Sequence, residues 1–312
     1  MIRTVLGMGT ATMDVVLQCG SLPKADGFEI LENEMVLSGG SCANMLVTLA
    51  RLGIKTKQIA KIGDDSFGRI FREDLLRDGV DDSLLMTVPG GKTMHTYIIA
   101  ASNGEHTIFS NMGDCIMNLK PEEITPAMLD GIDLFYTDMF PAKPAIAMAK
   151  FCTGKNIPVI FCLQCPVEIM HKIGVQKEEI LEMLTLADLF ISGRSGYLSL
   201  TDTADYHEAL HILYEKYPNK WGMICTAGEH GAVWLDKDEK IIAQPYEIVP
   251  VDTTGAGDCF LGGLIYSYFV NGRTKQHSMD FASAAAAIKC LQPGPRIKAD
   301  VKMINEFMAG RA

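Results

Sequence analysis

The chain has 312 residues, 48% of them hydrophobic and 21% charged, with a formal net charge of −10. That is a globular composition, with chain enough for a large α/β domain and no positive field for nucleic acid or an anionic membrane surface. Nine cysteines, an odd number scattered through apolar segments, fit reduced thiols; with no apolar core in MIRTVLGMGTATMDVV and no run of bilayer-spanning length, a soluble, cytoplasmic protein is expected.

Taken in chain order, apolar runs at 4–7 and 58–62 predict buried strands, with helices over 42–52 and 67–78 beside them. From residue 134 strands are predicted at 134–137, 158–163, 189–192, 223–226, 232–235 and 240–243. Helices over 143–154, 177–185 and 204–216 are interleaved with them, and helices over 257–270 and 275–291 close the sequence. This alternation predicts a mostly parallel central sheet with helices on both faces, a three-layer αβα sandwich. Two stretches break the rhythm: 28–37, and 93–101 followed by 106–110, read as strands with no helix between them. The turn Ser102–Asn103–Gly104 makes the latter pair a hairpin. Antiparallel strands set apart from a parallel sheet predict a small β lid, inserted at about 15–38 and 91–111, within a single domain over 1–312.

The stretch richest in chemistry is VPVDTTGAGDCFLGG, residues 249–263. Gly255, Ala256 and Gly257 are small enough to turn the backbone tightly into the following helix and present bare N–H groups to an anion. Asp258, placed straight after those donors, stands where it can take a proton from an incoming hydroxyl. The plain alternative is a glycine turn whose acid complements the helix dipole. A second glycine string, Ser38–Gly39–Gly40–Ser41–Cys42–Ala43–Asn44, permits close backbone approach to a ligand, and Asn44 offers both donor and acceptor to a polyol.

The full DTTGAGDxFxGG string resembles the second signature of the ribokinase-like (PfkB) carbohydrate kinase family, and SGGSCAN resembles its first. The resemblance continues through KIGDDSFGRIFREDLLRDGV to AAAAIKCLQPGPR and covers about residues 2–300. It implies an ATP-dependent kinase of the ribokinase-like fold in which Asp258 is the catalytic base and Gly255, Ala256 and Gly257 form the anion hole. It implies that Asp14 holds substrate hydroxyls with Gly39, Gly40 and Asn44 as partners, and that the Thr226-to-Gly231 loop, through Thr226, Gly228 and Gly231, faces the nucleotide. Magnesium is needed to offset phosphoryl charge, and a potassium ion beside Asp252 and Thr254 is a further family feature. One position departs from the pattern. Where the family carries Asn-x-x-Glu, this chain has Ser192–Gly193–Arg194–Ser195, so Ser192 and Arg194 take the nucleotide-side place without the carboxylate.

A sugar or sugar derivative is the expected substrate. A nucleoside such as adenosine is the alternative, because SGGSCAN and GEHTI also resemble the adenosine-kinase-like branch. A non-catalytic sensor on the same fold is the reading from another class. A homodimer through the lid is implied by the family. Gly7–Met8–Gly9 resembles a dinucleotide fingerprint, but Thr12 replaces the third glycine and no helix pattern follows. Gly91–Lys92–Thr93 lacks the first glycine of a P-loop, and Cys162/Cys165 and His207/His211 have no companion ligands for a metal.

Overall fold

The computed structural model describes residues 2–102 and 105–310. Before the first helix run β1 (Thr4–Met8), β2 (Thr12–Cys19) and β3 (Leu31–Gly39). Then come α1 (Ser41–Arg51), β4 (Lys55–Gly63), α2 (Ser66–Arg77), β5 (Val80–Asp81), β6 (Leu85–Val88), β7 (His95–Ala101) and β8 (His106–Asn111). The second half holds β9 (Leu134–Thr137), α3 (Ala142–Lys155), β10 (Val159–Leu163), α4 (Val167–Lys172), α5 (Lys177–Leu186), β11 (Leu189–Gly193), α6 (Arg194–Leu200) and α7 (Tyr206–Lys216). It ends with β12 (Met223–Thr226), β13 (Ala232–Leu235), β14 (Lys240–Ala243), α8 (Ala256–Leu264), α9 (Lys275–Cys290) and α10 (Val301–Ala309).

The central sheet has the order β14-β13-β12-β11-β10-β9-β1-β4-β5, with β6 also paired to β4. Every pairing from β12 to β5 is parallel, and β13 and β14 add an antiparallel edge. The expected parallel αβα sandwich is present. Its central strands are buried on both sides because helices cover both faces: all four residues of β9 are buried, as are the first four of β11. Among the described residues no helix is long and apolar enough to cross a membrane.

A second sheet, β3-β2-β7-β8, stands apart. Strand β2 was not anticipated from the sequence, and β3 begins and ends later than the 28–37 expected. The chain leaves β1 and enters a strand rather than a helix, which removes the dinucleotide-fingerprint reading of Gly7 and Gly9. Strands β7 and β8 pair antiparallel from His95 opposite Asn111 to Ala100 opposite His106. Of the turn expected between them, Asn103 and Gly104 lie outside the described residues. The helix expected over 257–270 changes winding instead, with α8 followed by a π-helical segment, Ile265–Val270.

Candidate active site

Two glycine-started helices meet at the C-terminal ends of the parallel strands, the edge where α/β sheets bind ligands. Helix α8 starts at Gly255, whose φ of 77° lies in the left-handed region and whose place no side chain can take: a Cβ there would stand 2.0 Å from the Pro295 carbonyl oxygen. No side chain caps this helix. The Ala256 N–H turns back to the Thr253 carbonyl at 3.2 Å, and a Cβ on Gly257 would meet nothing within 4 Å. The first turn of α8 therefore faces open space with its dipole positive end forward, a setting that favours an anion.

Asp258 sits in that first turn and is only 6% exposed. The Asn44 Nδ2 donates to its Oδ2 at 2.9 Å, while the buried Oδ1 of the same amide has no hydrogen-bond partner. Burial pushes the Asp258 carboxyl up to about 7; the hydrogen bond from Asn44 opposes this and the nearby charge of Asp138 adds to it. A carboxylate that titrates there is poised as a proton acceptor at neutral pH.

Helix α1 starts at Gly40, with φ 95°, where a Cβ would stand 2.4 Å from the Thr10 carbonyl oxygen. Its N-terminus is closed by a distant residue. The fully buried Asp138, just past β9, accepts the Cys42 N–H at 3.1 Å, the Thr10 hydroxyl at 2.7 Å and the Phe140 N–H at 3.3 Å. Burial raises its carboxyl to about 6 against those hydrogen bonds. Asp14 in β2 takes the Thr96 hydroxyl at 2.5 Å on Oδ1, and its Oδ2 faces Gly39 so closely that a Cβ there would lie 2.2 Å away. Burial raises the Asp14 carboxyl, opposed by Thr96 and by the charge of Arg296.

A cavity of about 460 Å³ runs from α8 to the β12–β13 turn, lined by Arg194, Thr226, Gly228, Gly231, Ala256 and Gly257, with Ile248, Phe260 and Ala286 as apolar wall. A neighbouring cavity of about 490 Å³ shares Arg194, Thr226 and Gly228. A larger one, about 570 Å³, lies at the opposite edge of the sheet against Pro158, Asp188 and Trp221, and none of the expected site residues reaches it.

Three further expected residues, Ser192, Asp252 and Thr254, lie outside the lining of the cavity at α8. The Ser192 hydroxyl points into the sheet and donates to the Leu163 carbonyl at 2.7 Å, so it does not line the cavity. Beside Asp252 and Thr254 lies the buried Lys289, its Nζ donating to the Asp252 carbonyl at 2.7 Å. Among the described residues no group of three His, Cys, Asp or Glu side chains is placed to hold a metal ion.

Sequence reasoning passed over Asp138, Lys289 and Arg296. The signals were a carboxylate at the end of a buried central strand, a single cation in the apolar run AAAAIKC, and an arginine after the PGP turn. Arg296 pairs with Asp78 at 2.8 Å and keeps two buried nitrogens, Nε and Nη2, without partners.

Known proteins resemble this chain over nearly its whole length. The family model described as pfkB family carbohydrate kinase matches residues 4–302. An ATP-dependent ribose-1-phosphate kinase of Halopiger xanaduensis is 26% identical over 310 residues, 98% of each chain. The Arabidopsis thaliana ribokinase complexed with ribose and ATP superposes with a TM-score of 0.83 at 21% identity, covering 99% of both chains. The adenosine kinase of Sinorhizobium meliloti gives a TM-score of 0.82 at 22% identity, covering 100% of both.

Proposed function

The chain belongs to the pfkB family of carbohydrate kinases and is a phosphotransferase; on that premise we propose that it moves the γ-phosphoryl of ATP to a hydroxyl of a sugar or sugar derivative, with Asp258 accepting the hydroxyl proton. The observation that carries this reading is the position of Asp258: buried, raised to about 7, and in the first turn of a helix whose open N-terminus lines a cavity. The residues fit a nucleotide, with phosphates at Ala256 and Gly257 and the remainder along Thr226, Gly228 and Gly231. Magnesium, when bound with ATP, would neutralise charge on the phosphoryl oxygens.

The protein's own part is positioning and proton transfer. Asn44 holds Asp258 with its donor end and leaves its acceptor end for a substrate hydroxyl. Asp14 keeps Oδ2 beside Gly39 for a second hydroxyl. The second sheet carries Asp14 and Thr96, and in this reading it is the lid that excludes water from the transfer. The charge of Arg296 acts on Asp14, and a sugar already bearing a phosphate is a candidate acceptor beside free sugars, in keeping with the Halopiger relative's name. Release of ADP over a panel of free sugars, sugar 1-phosphates and nucleosides tests the assignment; ATP binding without turnover on any acceptor overturns it. The second sheet and the loop leading into it expose Phe28, Ile108 and Phe109, at 88%, 53% and 61%, which supports a homodimer through the lid, with a Phe109→Lys variant expected to sediment as a monomer.

A further inference from the structure

Lys289 lies in the last turn of α9, wholly withdrawn from solvent, amid Ala284, Ala285, Ala287 and Ile288. An ammonium group buried without partners is costly, so the acceptors it finds explain its place. They belong to one residue: its Nζ donates to the Asp252 carbonyl oxygen at 2.7 Å and stands 3.8 Å from the Asp252 Oδ2. The rest of that carboxylate is also engaged. Oδ1 accepts the Thr254 N–H at 2.9 Å and Oδ2 accepts the Gly294 N–H at 2.9 Å. The Val251 N–H donates to the Cys290 carbonyl at 2.7 Å, tying the same loop to the end of α9. The loop continues through Thr253, whose carbonyl takes the Ala256 N–H, into the open first turn of α8.

A monovalent metal ion in this place would need several oxygens converging on it. Here a carbonyl and a carboxylate oxygen already face a fixed ammonium of the same charge and similar size. The residues do not fit potassium. We propose that the Lys289 ammonium is a covalently tethered substitute for a monovalent cation, setting the 252–255 loop, and through it the α8 anion cradle, without any ion from solution. Only the naming of the cradle as a phosphate site rests on the function proposed above.

The test compares thermal unfolding and ATP affinity of the whole protein in potassium, sodium and tetramethylammonium salts at equal ionic strength. The wild type is expected to give one Tm and one ATP affinity in all three. Lys289→Ala, which opens space for an ion, is expected to lose about tenfold or more of its ATP affinity in tetramethylammonium and to regain most of it in potassium. A potassium-specific rise in the wild-type Tm overturns the proposal, as does a Lys289→Ala protein that binds ATP like the wild type in every salt. If Lys289→Ala does not fold, Lys289→Met, which keeps the packing, replaces it and is expected to lose ATP affinity in every salt, while wild-type affinity in Lys289→Met overturns the proposal. The Tm readout needs neither nucleotide nor acceptor, so failure to find a phosphoryl acceptor leaves this result standing.

Discussion

The N-termini of α1 and α8 are built alike and used differently. Each begins at a glycine with positive φ pressed against a carbonyl oxygen, Thr10 for Gly40 and Pro295 for Gly255, and neither has a side-chain cap from its own start. At α1 a buried carboxylate from another strand, Asp138, fills the position an anion would take. At α8 the position is left open and Asp258 stands beside it. The same local device is a structural joint where the fold supplies the anion and, in the function proposed, a binding site where it does not. A glycine-started helix therefore indicates an anion only after the rest of the fold has been searched for one.

The sharpest way to break the comparison is Asp258→Asn, which keeps the Asn44 hydrogen bond and removes the base; turnover is expected to fall by about 10²–10⁴ in steady-state kinetics while ATP affinity is retained. Next in size, Asp138→Ala removes the internal anion of α1 and strands several buried donors, so unfolding free energy is expected to drop by about 2–4 kcal/mol in urea titration. If Asp138→Ala instead leaves stability unchanged and abolishes turnover alone, the two termini are not divided as described. Gly255→Ala forces a strained φ against Pro295 and is expected to cost about 1–3 kcal/mol and weaken ATP binding. The smallest effect is on pH. Asp138 and Asp258, with folded values of about 6 and about 7, hold protons that the unfolded chain has already released above about 4. Their contribution to stability is present below that and is lost as pH rises through 6 and 7, so Tm falls over the range in which turnover rises. Asp258→Asn should flatten the upper part of that Tm decline, measured by calorimetry from pH 5 to pH 8.

The α8 end of this pair was legible in the sequence and the α1 end was half so. DTTGAGD places glycines, acid and helix in one contiguous string, and the structure keeps them contiguous. The closure of α1 depends on Asp138, which lies nearly a hundred positions from Cys42 and is brought there only by the pairing of β9 with β1. Strand β2 was missed for a related reason: TMDVVLQC follows a glycine turn as a loop could, and its strand character comes from β3 and β7 on either side. Lys289 carried a signal in plain view, a single cation within the apolar run AAAAIKC, but its partner could not be read from the chain.

Asn44 adds a consequence of its own. A primary amide has a donor end and an acceptor end joined by a rigid plane, and here the donor end is committed to Asp258 while the acceptor end waits, buried, for a hydroxyl. In the proposed reaction, a sugar that engages the acceptor end would lock the plane and with it the orientation of Asp258; without it the plane is held from one side only. Recognition of the acceptor and alignment of the proton-taking group are thereby carried, in that reaction, by one side chain.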